Sequence, residues 1–251
     1  LGFDYAPYLE GAVKAVIDYQ TRANGTGEGT LELDLTPAAL NFADAGWRKP
    51  AGQAGTAAMS FETKAGLLER LPSFSAEAIG LDAAGSLAMR GAAGAREIDT
   101  LEFATLKIGE TDAHGRLARL ENGGWSIDVA GERVDLVPLL RGAQAAAPQS
   151  QSNSAEARVL PPLRITISPD APLGEVLLAK GAQPIKRLAG TATYDGLRWD
   201  NALFDGRVGA GGIFFEIAES EGRRRLILEA ADAGAAIGLI GLTDGYADGV
   251  L

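Results

Sequence analysis

The chain has 251 residues, 46% hydrophobic and 22% charged, with a formal net charge of −10 and no cysteine. That is enough chain to bury a sizeable core in one large all-β domain or two smaller ones. The acidic balance argues against nucleic acid and against docking on anionic headgroups, which need Lys/Arg neutralisation, while the missing cysteines remove disulfides, thiolate metal sites and Cys nucleophiles together.

Near the N-terminus, residues 6–22 read APYLEGAVKAVIDYQTR, with Leu9, Val13, Val16 and Ile17 close to helical spacing before NGTGEG. This predicts a short amphipathic helix. Acids come early and no basic stretch precedes an apolar run, so no secretory signal is legible. No uninterrupted apolar stretch of about 18 residues offers a membrane span either.

From Thr30 the period changes to two. In TLELDL, Leu31, Leu33 and Leu35 face one way and Glu32 and Asp34 the other, as in a half-buried strand. The same alternation recurs around Ala38, Leu40 and Phe42, around Met59 and Phe61, around Leu87 and Met89, and around Leu101 and Phe103. GRLARLENGGWSIDVAG reads as a hairpin with ENGG as its turn and Trp125, Ile127 and Val129 alternating behind it.

Residues 142–157, GAQAAAPQSQSNSAEA, have no aromatic residue and no period, the composition of a flexible linker or loop. They suggest a first β segment over 1–141 and a second over 158–251. Strand signals resume at Ile165 and Ile167 and continue through Ile213, Phe215 and Ile217 to Leu226 and Leu228, with AESEGRR as a polar turn. Many short one-sided strands joined by tight turns predict a mainly β, antiparallel fold.

Chemistry-bearing motifs are sparse. His114 is the single histidine, placed just before a strand, and reads as a solvated side chain rather than a base or ligand. The carboxylates Glu32, Asp34, Glu102 and Asp128 occupy alternating strand positions, where a wetted face needs them. GRVGAGG (206–212) and GTGEG (25–29) lack the strand–loop–helix context of phosphate loops and read as turns and close backbone approaches. Nothing here points to an enzyme, a metal or a cofactor.

Two stretches carry a resemblance. LDLTPAALNFADAGWRKPAGQAGTA (33–57), through Leu33, Asp34, Leu35, Thr36, Gly46, Trp47, Lys49, Pro50 and Gly52, resembles the AsmA-like family of bacterial envelope proteins, in its YhdP- and TamB-related branch. The C-terminal LFDGRVGAGGIFFEIAESEGRRRLILEAADAGAAIGLIGLTDGYADGVL is similar to that family's strand–strand–short helix string, through Asp232, Ala233, Gly234, Ala235, Leu242 and Asp244. VDLVPLLRGAQ (134–144) looks like its unit boundary.

The resemblance implies a curled open sheet, the repeating β-groove, and a short helix near the C-terminus N-capped by Asp232. After that helix, Gly249-Val250-Leu251 would start a further repeat. It also implies a fragment of a longer periplasmic protein tethered to the inner membrane of a Gram-negative cell, carrying phospholipid toward the outer membrane and supporting its integrity. The partners implied are phospholipid acyl chains, with other envelope proteins second.

On that reading Leu31, Leu33, Leu35, Phe61, Leu101, Phe103, Ile165, Ile167, Phe215 and Leu228 would contact acyl chains, since burying each CH₂ is worth about 0.8 kcal/mol. Alternatively the same side chains pack against each other in a closed sandwich or barrel. A third reading is a non-catalytic docking module that binds through sheet edges or through 142–157, and exposed edges predict self-association.

Overall fold

The computed structural model describes residues 7–92, 95–145, 161–220 and 223–239. The chain divides into two compact units, Leu1–Arg119 and Leu120–Leu251. The division thus falls ahead of the stretch 142–157, of which 142–145 end a helix and the remainder lies outside the described residues.

The first unit contains β1 (Leu9–Glu10), β2 (Lys14–Thr21), β3 (Thr26–Asp34), β4 (Ala39–Phe42), β5 (Trp47–Lys49), β6 (Gly55–Lys64), β7 (Leu67–Ala78), β8 (Leu81–Arg90), β9 (Glu97–Ile108) and β10 (Thr111–Arg119). Its main sheet runs β2–β3–β6–β7–β8–β9–β10, antiparallel throughout, and β1–β4–β5 form a small separate sheet.

Over the described residues 7–22 no helix forms. Lys14–Thr21 instead ladders residue for residue onto β3, from Lys14 opposite Asp34 to Thr21 opposite Gly27. The turn between them is closed by the Arg22 amide donating to the Thr26 carbonyl (2.8 Å), and Asn24 Oδ1 accepts from the Thr26 amide (3.0 Å). A helix this short is marginal alone, whereas Val16 and Ile17 are β-branched and find a ready strand partner.

One central strand has no clear signal in the sequence. β7 carries Pro72, which cannot donate to a ladder. It is accommodated where the β7–β8 register shifts between Leu71 and Phe74. Such an irregularity is the place a central strand tolerates proline, and it keeps Leu71 and Phe74 on one face.

The second unit contains β11 (Trp125–Asp135), α1 (Val137–Ala145), β12 (Leu163–Ile167), β13 (Leu173–Leu177), β14 (Ile185–Tyr194), β15 (Trp199–Val208), β16 (Gly211–Ser220), β17 (Arg223–Ala230) and α2 (Ala233–Leu239). The sheet order is β11–β12–β14–β15–β16–β17, with β13 also bridging β11 and β14. The fold is mainly β as expected, but not wholly antiparallel: β11 pairs in parallel with both β12 and β13. Parallel neighbours need a crossover connection, and the α1 segment lies in it.

The turn expected at ENGG is present, with the Leu120 amide donating to the Gly124 carbonyl at 2.9 Å. α2 begins as expected. Asp232 Oδ1 accepts from the Ala235 amide at 2.9 Å, an N-cap bond that satisfies an otherwise orphaned donor. Gly249-Val250-Leu251, Leu242 and Asp244 lie outside the described residues.

Among the described residues each unit has a small core. In the first, Leu35, Leu40, Trp47, Leu81 and Ala83 are buried together, flanked by Leu33, Ala57, Ala76, Leu106 and Ile108. In the second, Ile167, Leu173, Val176, Ile185, Val208 and Leu239 are buried, flanked by Phe204 and Ile213.

Candidate functional site: an uncovered apolar face in each unit

Directly opposed residues of a ladder share one face of the sheet, so register turns separate strands into continuous rows. In the first unit one row runs Ile17–Leu31–Met59–Phe74–Gly85–Phe103–Gly115. A second row on the same face runs Leu71–Leu87–Leu101–Leu117. A third, Ala15–Leu33–Ala57–Ala76–Ala83–Leu106–Ala113, completes the face on its other side.

Among the described residues a cover lies over the third row alone. Trp47 and Leu40, from the small sheet, lie in one cluster with Leu33, Ala57, Ala76, Ala83 and Leu106. Trp47 is anchored there by its Nε1–H, which donates to the Ile79 carbonyl at 2.9 Å, and by Phe42 at 5.9 Å between ring centroids. Lys49 is 1% exposed, and its Nζ donates to the carbonyls of Ala38 (2.7 Å) and Pro50 (3.3 Å). The Trp-x-Lys-Pro stretch is thus a structural cover held by a buried cation. Within it Trp47–Lys49 is strand β5.

Among the described residues the first and second rows have no such layer. Leu31, Met59, Phe61, Phe74, Leu87, Leu101, Phe103 and Leu117 are all half-buried rather than enclosed. A closed sandwich would have enclosed them. Across seven strands spaced about 4.8 Å apart the face extends roughly 29 Å.

The aromatics lie low on this face. Phe61 reclines over Gly29, where an added Cβ would come within 2.6 Å of Cζ, and Tyr19 stacks on Phe61 at 5.6 Å. Tyr19 Oη also hydrogen-bonds Thr63 Oγ1 at 2.8 Å. GTGEG therefore ends in a close approach, as the sequence suggested. No phosphate loop forms there.

In the second unit the equivalent rows are Ile127–Ile165–Ala192–Ala202–Ile217–Leu226 and Ile167–Gly190–Phe204–Phe215–Leu228. Ile167 and Phe204 belong to the core that Leu239 of α2 helps close. Ile165, Phe215 and Ile217 remain half-buried, and Leu226 and Leu228 on β17 are 66% and 50% exposed.

Of the residues singled out from the sequence, Leu31, Leu33, Phe61, Leu101 and Phe103 share one face of the first unit. Ile165, Ile167, Phe215 and Leu228 share one face of the second. Leu35 and Ile167 differ from the rest: at 6% and 5% exposure they are core, closed to any ligand. Sequence reading missed Phe74 and Leu71, because Pro72 masked their strand. Leu117 was legible in the alternation of RLARL but was not singled out.

The opposite face of the first unit is polar, and there Arg70 holds Glu62 with two bonds of 2.7 Å. At the end of β10, Arg119, in step with Leu117, donates from Nη2 to Glu97 at 2.8 Å. Each arginine keeps its carboxyl partner below the usual carboxylate range, the hydrogen bond contributing most. Asp34 is lowered by its bonds to Thr36, and Asp195 by the amides of Leu197 and Arg198. His114 is exposed within β10 itself, at a register irregularity between Ala113 and Gly115, not ahead of the strand.

No family model, curated protein or solved structure matches this chain. Among the described residues no group of three or more His, Cys, Asp or Glu is placed to hold a metal, and no helix is long and apolar enough to cross a membrane. What the geometry offers chemically is a strip of apolar side chains with one rim covered and the rest accessible.

Proposed function

We propose that the uncovered apolar face of each unit holds the acyl chains of phospholipids, in a non-catalytic segment of an AsmA-like protein in the bacterial periplasm. The observation that carries this reading is the pair of contiguous cross-strand rows through Leu31–Phe103 and Leu71–Leu117, apolar from strand to strand and without a covering layer among the described residues. Exposed apolar strips of this extent mark interaction sites. A ligand made of methylene groups gains about 0.8 kcal/mol for each one removed from water, and needs no directional partner.

The two rows and the resemblance of residues 33–57 and 203–251 support the same class of ligand by separate routes. Carriage between inner and outer membranes, a tether in the inner membrane and support of outer-membrane integrity follow from the resemblance and stand as part of the proposal. The docking-module reading has its own observation, the exposed edge of β2, treated below.

The test is lipid content. Protein purified from cells is extracted with organic solvent and its phospholipid quantified by mass spectrometry, beside Leu31→Asp/Leu101→Asp, two half-buried positions on the accessible rows. Stoichiometric lipid in the parent, lost in a variant with an unchanged circular dichroism spectrum, is the expected result. A folded, monodisperse parent without lipid overturns the reading.

A further inference from the structure

β2 is the most exposed regular element in the first unit: all eight residues Lys14–Thr21 are solvent-accessible, including Val16 at 68% and Ile17 at 63%. Among the described residues it pairs only with β3, and that ladder is unbroken along its length. Its other edge therefore presents a full row of amides and carbonyls. The usual protections of such an edge are proline, a bulge, an inward charge or a covering segment. β2 has no proline and no bulge, and nothing described covers it.

We infer that this edge pairs with the same edge of a second copy of the chain, antiparallel and two-fold symmetric, about Val16. The choice of register follows from charge. With Val16 opposite Val16 of the second copy, Lys14 faces Asp18 and Asp18 faces Lys14, two opposite-charge pairs on the polar face, while Ile17 meets Ala15 on the apolar face. Centring on Ile17 would set Val16 against Asp18, and centring on Asp18 would oppose two carboxylates directly, which is destabilising.

Side-chain parity allows only registers that keep each face continuous, and among these the Val16-centred one alone satisfies both charges. An isologous contact of this kind closes on itself as a dimer.

An edge-strand contact buries less than a standard interface, so the dimer forms and dissociates with concentration. Sedimentation from micromolar to millimolar protein is expected to show a monomer–dimer transition. Asp18→Lys, opposite the uncharged Thr30 on β3, should raise the dissociation constant about tenfold by losing two attractive pairs. Lys14→Asp/Asp18→Lys/Asp34→Lys, which keeps position 14 paired with position 34 as in the parent, should restore it.

Because the chain contains no cysteine, Val16→Cys gives a single thiol at the two-fold axis. Oxidation should link it to itself efficiently, whereas His114→Cys, exposed on β10, should not link. Mixing Lys14→Cys with Asp18→Cys should yield the mixed dimer in preference to either homodimer. Three results each overturn the inference: a monomer at all concentrations, Val16→Cys linking no better than His114→Cys, or no rescue by the charge exchange. Slow, concentration-independent exchange in a monomer at the β2 amides that do not donate to β3 would show that the chain covers its own edge, and would overturn it as well.

Discussion

Phe74 and Phe103 meet edge to face, with ring centroids 5.7 Å apart, although they lie on strands that do not pair. Gly85 on the intervening strand β8 is opposite both. An added Cβ there would come within 2.9 Å of Phe74 Cζ and would overlap the Glu102 carbonyl oxygen. The missing side chain lets two rings close over the strand and keeps the apolar face low and continuous.

Gly85→Ala should therefore be costly despite adding one methyl to a half-exposed position. Overpacking typically destabilises by about 1–3 kcal/mol, and contact with a fixed carbonyl places this site at the upper end. Urea unfolding checks it: the midpoint should fall with an unchanged slope, since the surface exposed on unfolding is the same. Phe103→Leu, which keeps bulk and removes the ring contact, should cost roughly 1 kcal/mol.

Lys49 tests what holds the cover in place. Lys49→Met preserves the aliphatic stem and removes the donors to Ala38 and Pro50. Leaving a buried carbonyl unpaired costs about 1–3 kcal/mol, so the unfolding free energy should drop by that amount, read as a lower urea midpoint at unchanged slope. Indole fluorescence should shift to longer wavelength as Trp47, 5% exposed, gains access to water.

The β6–β7 turn runs against its residue choice. Ala65 has φ 51° and Gly66 φ 76°, the pattern of a two-residue hairpin turn that favours Asn-Gly. A left-handed alanine costs about 1–2 kcal/mol. Ala65→Asn should raise stability by roughly 1 kcal/mol, read as a higher thermal midpoint without change in the circular dichroism spectrum.

Acid should weaken the second unit through Asp195, whose carboxyl is lowered mainly by the Leu197 and Arg198 amides. A carboxyl with a folded pKa below its unfolded value contributes stability above the unfolded pKa. That contribution is lost as pH falls through the lowered folded value. The denaturation midpoint of Asp195→Asn should lie below the parent at pH 7 and converge with it in strong acid, as measured by parallel urea titrations.

Local alternation was enough to place most strands and the faces of their apolar residues. Leu31, Leu33, Phe61, Leu101 and Phe103 were legible as one-sided because side-chain direction alternates with period two whatever the partners are. The Asp232 cap was legible too, since capping is local chemistry. β2 and β7 were not. Val13, Val16 and Ile17 fit a helical period as well as a strand, and only the ladder with β3 decides between them. Pro72 argues against a strand until a register irregularity makes room for it.

Composition and periodicity by themselves determined a mainly β protein with one greasy face per strand. They could not tell which greasy residues end up covered, because alternation records only direction. Leu35 and Leu31 read alike in sequence, yet one is sealed into the core with Trp47 while the other lies open. That difference comes from register across seven strands and from a cover that folds back onto a single row. Both are long-range pairings that no local pattern encodes.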